Sequence, residues 1–195
     1  DQTFNSNSSF GCFHINIASL SKYHKELNSL LNILKYKFKV IGISETRLTL
    51  ENESASNIEL DEYYFVETKT LTLAGGTGLY IHKSVMNATK IRHDLCFQME
   101  SAFETTFIEI SNTNPQSMII GCLYKHANFP TEKFMTDCLL TILSKIDREK
   151  KTVVLMGDFN INLLNYETSY STSQFYDSMT SLNFQPLILQ PSRVT

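Results

Sequence analysis

The run "VVLMGDFNINLLN", Val153 to Asn165, constrains the fold of this chain more than any other stretch. Val153 to Met156 is apolar at every position and begins with β-branched residues, the pattern of a strand covered on both faces. Such a strand demands a packed layer on each side and rules out a lone sheet with one wet face. The run then empties into Gly157, Asp158, Phe159 and Asn160. A buried carboxylate or amide without partners is costly, so Asp158 and Asn160 need them. Two solutions stay open: the pair hydrogen-bonds the backbone of a turn or caps a helix, as both residue types do well, or it faces a ligand.

The rest of the chain supplies the layers. "FGCFHIN" reads as a strand ending near Asn16, after a loose polar lead-in "DQTFNSNSS". Leu27, Leu30, Leu31 and Leu34 then form a helical stripe, and "KVIGIS" is a second buried strand delivering Ser44 and Glu45. After the polar loop "ENESASNIELDE", the segments "YYFVETK", "TGLYIHK", "AFETTFIEI" and "SMIIGCLYK" read as consecutive antiparallel strands. Gly75-Gly76 and Asn112 to Pro115 mark turns between them. Thr131 is the expected N-cap of a helix carrying Phe134, Met135, Cys138, Leu139, Ile142 and Ile146 on one side. "KTVVLMG" follows, then a shorter helix with Phe175, Met179 and Leu182 inward, then "FQPLILQP". No repeat or linker interrupts this order, so residues 1–195 are expected to form one α/β domain, a β-sandwich with helices on its outer faces.

Composition narrows function. At 195 residues, with 42% hydrophobic and 19% charged, the chain has enough apolar material for one sizeable core. The 17 Lys+Arg against 20 Asp+Glu leave a net charge of −3, so a polyanionic partner must be met by a local patch or a metal ion. Cys12, Cys96, Cys122 and Cys138 are dispersed without a C-x-x-C pair, which argues against a zinc framework and for reduced, buried thiols. Sequons at Asn7, Asn52 and Asn87 come without a signal peptide and read as accidental, so secretion is not expected. No apolar run approaches the ~20 residues of a membrane span. The chain starts at Asp1 rather than Met and stops at "QPSRVT", as a piece of a longer polypeptide would.

Four strands end in polar groups: Asn16; Glu45; Tyr124 with Lys125; Asp158 with Asn160. Each has an ordinary explanation: an exposed carboxylate for Glu45, a turn former for Asn16, an amphipathic core residue for Tyr124. Together they offer the oxygen donors that a hard cation takes. Mg²⁺ is commonly held by one or two carboxylates plus waters and phosphate oxygens, a role that suits Glu45. A second carboxylate can orient or deprotonate an attacking water with an amide beside it, which suits Asp158 and Asn160. The chemistry implied is hydrolysis of a phosphate ester.

On these residues the sequence resembles the endonuclease/exonuclease/phosphatase superfamily. "HINIASLSKYHKELNSLLN", "VIGISETRL", "AGGTGLYIHKSV", "FIEI", "IIGCLYKHAN" and "VVLMGDFNINLLNY" look most like the apurinic-type endonuclease of non-LTR (LINE-type) retrotransposons. "LILQPSRVT" resembles the segment such elements place after the last helix. The resemblance implies a four-layer α/β sandwich with a site for Mg²⁺, or alternatively Mn²⁺, at one edge. It places Asn16 and Glu45 at the metal, Tyr124 on the scissile phosphate, Asp158 on the nucleophilic water, and Asn160 on both phosphate and aspartate. Thr195 falls loosely on a phosphate-contacting threonine. DNA is the implied substrate, with a reverse transcriptase domain downstream in the same polypeptide and a nuclear site of action.

Two departures stand out. Relatives read Tyr-Arg and then Pro where this chain has Tyr124-Lys125 and Ala127, and Lys lacks the bidentate fork that grips phosphate. The family's Asp-His pair and Ser-Asp-His motif are expected beyond Thr195, with the last strands of the sandwich. These 195 residues alone are therefore expected to cut weakly or not at all. His14, His24, His82, His93 and His126 offer no evident substitute; His126 follows Tyr124 closely, but the sequence shows no carboxylate partner for it. Lys125 and Arg47 are candidate phosphate contacts, against solvated surface charge as the alternative. The rival functions are a phosphatase of the same superfamily and a non-catalytic remnant that only binds.

Overall fold

A computed structural model describes residues 10–51, 58–111, 117–188 and 190. The strands form two sheets. In the first, β1 (Cys12–Asn16), β2 (Val40–Ser44), β3 (Tyr63–Thr68) and β4 (Thr77–His82) are ordered β1-β2-β4-β3. In the second, β5 (Thr89–Ile91), β7 (Phe103–Ile110), β8 (Met118–Lys125) and β9 (Thr152–Asp158) run in that order, with β6 (Phe97–Met99) also paired to β7. Each sheet is mixed: β1 with β2 and β8 with β9 are parallel, the other pairs antiparallel.

Strand alternation builds the layers, because successive side chains point to opposite faces. Val40, Leu79 and Ile81 from one sheet meet Ile108, Ile110, Ile120 and Cys122 from the other in a central core. The odd residues Ile41 and Ile43 turn outward, against Leu20 and Leu27 of helix α1 (Leu20–Leu34). Phe103, Phe107, Ile119 and Leu123 turn outward on the second sheet. They meet one continuous helical run: α3 (Thr131–Lys133), a π-helical widening at Phe134–Leu139, and α4 (Leu140–Asp147). Phe175 of α5 (Tyr170–Ser181) joins them. A short α2 (Lys83–Met86) follows β4. The result is the four-layer α/β sandwich: helix, sheet, sheet, helices.

Several expectations are corrected. The four middle strands do not make one consecutive sheet: β3 and β4 belong to the first and β7 and β8 to the second, with β5 and β6 between them. β9 does use both faces, Val154 and Met156 inward and Val153 and Leu155 outward, but it is the last strand of its sheet among the described residues and only half-buried. Pro130, not Thr131, occupies the cap of the third helix, and no side chain caps it. In α1 the stripe narrows, with Leu27 buried and Leu34, in the last turn before left-handed Lys35, 43% exposed. All four thiols are free, but only Cys122 and Cys138 are buried. Full burial pushes the Cys122 thiol up to about 12. The lead-in "DQTFNSNSS", the sequons at Asn7 and Asn52, the turn at 112–115 and Thr195 lie outside the described residues.

Candidate active site

The central layer ends in polar groups at one edge. In the second sheet Glu104, Tyr124 and Asp158 are register partners across β7, β8 and β9, so they share the inward face and continue the row of Ile108, Ile120 and Val154. In the first sheet Asn16 pairs with Ser44 and Ser44 with Thr77 at the same end. Thr77 and Thr106 hydroxyls close the layer between the sheets at 2.8 Å.

Asn16 ties the two sheets together. Its Nδ2 donates to Glu45 Oε1 at 2.9 Å and to Asp158 Oδ2 at 2.8 Å, using both amide hydrogens, while its Oδ1 accepts from the Ala18 N–H at 3.2 Å. Two carboxylates are thereby gathered about one nitrogen. Asp158 also satisfies the turn: Oδ1 accepts the Asn160 N–H at 3.0 Å, and Asn160 itself is left-handed at φ 48°. The turn solution holds for one oxygen, and the other is spent on Asn16 of the opposite sheet. Asn160 Nδ2 donates to the Lys125 carbonyl at 2.7 Å, locking the end of β9 to the end of β8.

Glu45 stands on a strap, residues 44–47, held from both sides. The carbonyls of Ser44, Glu45 and Thr46 accept from the N–H groups of Ile17, Ser19 and Leu20 at 3.0, 2.9 and 2.9 Å. The N–H groups of Thr46 and Arg47 donate to Gly76 O and Gly75 O at 3.2 and 2.9 Å. Glu45 has φ 52°, a left-handed conformation that a Glu keeps only when its surroundings enforce it. Its side chain is 15% exposed and pairs with Arg47 at 3.2 Å, so the exposed-carboxylate explanation fails.

Tyr124 is 5% exposed. Burial first, then the negative charges of Glu45, Asp158 and Glu104, push its phenol up and keep it a donor at neutral pH. His14 lies behind Asn16, its Nε2 3.1 Å from Ser44 Oγ; burial lowers it to about 4 against the pull of Asp158. Lys125 follows Tyr124 and so leaves β8 on the opposite face. It is 1% exposed and donates to the His126 carbonyl at 3.2 Å, which removes the solvated-charge explanation. Burial lowers its ammonium pKa, partly offset by Asp158.

Glu104 escapes a reading by strand ends: 1% exposed, it lies near the start of β7 rather than at its end, and counting back in twos from Ile110 and Ile108 does find it. Its Oε1 lies 3.2 Å from His126 Nε2, the carboxylate partner that the sequence did not show. Among the described residues no group of three or more His, Cys, Asp or Glu side chains is arranged to cage a metal ion.

No family model matches the sequence, and no curated protein matches it. Solved structures do share the fold. An AP endonuclease, LMAP from Leishmania major, superposes with a TM-score of 0.62 at 16% identity, over 88% of this chain and 66% of its own. The 3′ phosphatase NExo from Neisseria, bound to a product DNA hairpin, gives 0.62 at 14% identity, over 89% and 71%. D. rerio TDP2 complexed with a single-strand DNA product gives 0.53 at 15%, over 93% and 67%. The fold is therefore that of the AP endonuclease/exonuclease/phosphatase structures, and the chain spans about two thirds of their length.

Proposed function

We propose that this chain is the catalytic part of a divalent-metal-dependent phosphodiesterase that nicks one strand of DNA. The observation that carries the reading is the Asn16 amide joining Glu45 and Asp158, which gathers two carboxylates from different sheets at one edge. A phosphodiester approaches two carboxylates only with a cation between them, since like charges repel strongly in a partly dry site. Glu45 and Asp158 offer carboxylate oxygens only, a sparse set that would leave Mg²⁺ or Mn²⁺ much of its shell as water and phosphate.

In this reading Glu45 holds the ion with Asn16 beside it. An ion held there would supply charge neutralisation and Lewis acidity toward a phosphate group. Asp158 orients and deprotonates the attacking water, held in place by its bonds to Asn16 and the Asn160 N–H. The Tyr124 hydroxyl donates to the phosphate. Arg47, with its side chain 43% exposed beside Glu45, is better placed than buried Lys125 to meet a backbone phosphate.

The ordered motifs across nearly the whole chain support the finer reading of a retrotransposon endonuclease, whose nick leaves a 3′-hydroxyl for a reverse transcriptase carried by the same polypeptide in the nucleus. The neighbours described with DNA product support the substrate class. The test is nicking of supercoiled plasmid with Mg²⁺. We expect slow conversion to open circles, abolished by EDTA, by Glu45→Gln and by Asp158→Ala. A rate indifferent to both variants would overturn the proposal, and DNA binding without any nicking would favour the binding-module reading.

A further inference from the structure

We infer that Glu104 and His126 form a buttress that positions Glu45, acting through Gly75. The inference deepens the proposed function, because it rests on Glu45 as the metal-facing carboxylate. Four observations carry it.

First, the pair is built into the sandwich. Glu104 is 1% exposed on the inward face of β7, its Oε1 3.2 Å from His126 Nε2 and 3.3 Å from the Thr70 hydroxyl, whose single hydrogen is shared with the nearer Ala74 O at 2.8 Å. The His126 backbone is anchored in turn, its N–H donating to Ala102 O at 2.8 Å and its carbonyl accepting from Phe129 N–H at 3.0 Å. Second, the carboxylate and imidazole lie directly on Gly75. A Cβ at that position would meet Glu104 Oε1 at 2.6 Å and His126 Nε2 at 2.9 Å, and φ +105° suits glycine, so the contact is glycine-specific twice over. Third, Gly75 O and Gly76 O accept the Arg47 and Thr46 N–H groups, so whatever seats this loop also seats the strap that carries Glu45. Fourth, the pair backs the phosphate side as well. The His126 ring meets the Tyr124 ring edge-on at 4.9 Å, and Glu104 is the register partner of Tyr124.

Glu104 Oε2 is buried with no hydrogen-bond partner among the described residues. A buried carboxylate left half-satisfied costs stability, so its place against Gly75 calls for a reason other than folding. Neither residue is catalytic in this account: both act by holding the loop, and through it Glu45, at a set distance from Tyr124.

The experiment uses the 195-residue chain in two readouts: exchange of the Thr46 and Arg47 backbone amides by NMR without metal, and Mn²⁺ binding by electron paramagnetic resonance. Glu104→Ala and His126→Ala should each speed exchange of those two amides about tenfold more than the other amides next to the site, and weaken Mn²⁺ binding by a similar factor. Glu104→Gln keeps an acceptor for His126 Nε2–H and should stay close to wild type in both readouts. Glu109→Ala, in the ion cluster at the far end of the sheet, serves as the control for general loss of stability. Uniform acceleration of all amides, as in that control, would mean a merely structural pair and overturn the inference. So would unchanged exchange at Thr46 and Arg47, or a Glu104→Gln variant as impaired as Glu104→Ala. If the wild-type chain binds no Mn²⁺, the proposed metal site fails, while the exchange pattern still decides the buttress.

Discussion

Asp158 divides its oxygens between the Asn160 N–H of its own turn and the Asn16 amide of the opposite sheet. Because each bond stands alone on its oxygen, the two roles are separable by substitution. Asp158→Asn keeps an oxygen for the turn but sets an NH₂ against the Asn16 NH₂, so it should lose the bridge and spare the turn. Asp158→Ala loses both. We expect urea unfolding to show a loss of about 1 kcal/mol for Asn and about 2 kcal/mol for Ala, with a folded protein in each case. If Asp158→Ala leaves no cooperative transition, the turn dominates and the residue is chiefly structural.

At the scale of the element, Gly157 explains why β9 can deliver Asp158 at all. It sits at φ +150°, opposite Leu123, and a Cβ there would lie 2.8 Å from both Leu123 C and Leu123 N. Only a residue without a side chain lets the end of β9 close on β8 while Asp158 turns toward Asn16. Gly157→Ala should therefore cost about 3 kcal/mol, and shift the Asn160 amide resonance as its bond to Asp158 is disturbed. An unchanged urea midpoint would contradict this. The same element shows what alternation can reveal: Val154, Met156 and Asp158 share one face, as their spacing of two requires. What spacing could not reveal is that β9 pairs with β8 in parallel, since pairing depends on strands far away in the chain.

Across the whole molecule, charge is sorted by end. The carboxylates of the candidate site gather at one end of the sandwich, Glu104 and Asp158 from the second sheet and Glu45 from the first. At the other, Arg92 bonds Asp94, Glu109 and Glu149, and Lys151 bonds Glu109 and Glu149. Glu109 pairs with Ile119 and Glu104 with Tyr124, five residues along β8, so roughly 17 Å separates the two clusters. Arg92 is 11% exposed and Glu109 3%; Arg92→Ala removes one cation from this cluster while Lys90 and Lys151 still pair Glu109, so it should destabilise the fold by about 1 kcal/mol. That distance is about two Debye lengths at physiological salt, so the nicking rate of the protein that remains folded should not change. A rate that falls with Arg92→Ala at full folding would show that the ends are coupled.

Much of the architecture was legible because it is local. Strand alternation, helical stripes and turn residues placed β1, β2, β3, β4, β7, β8, β9 and the main helices, each governed by residues close along the chain. Asn16, Glu45, Tyr124, Asp158 and Asn160 stood out for the same reason: polar groups at the ends of apolar strands are conspicuous. The division of strands between two sheets, the pairing of Asn16 with Asp158 across 142 positions, and the meeting of Glu104 with His126 were decided by tertiary structure. Those contacts join residues whose neighbours in sequence carry no information about them, and only packing of the two sheets brings them within hydrogen-bond distance.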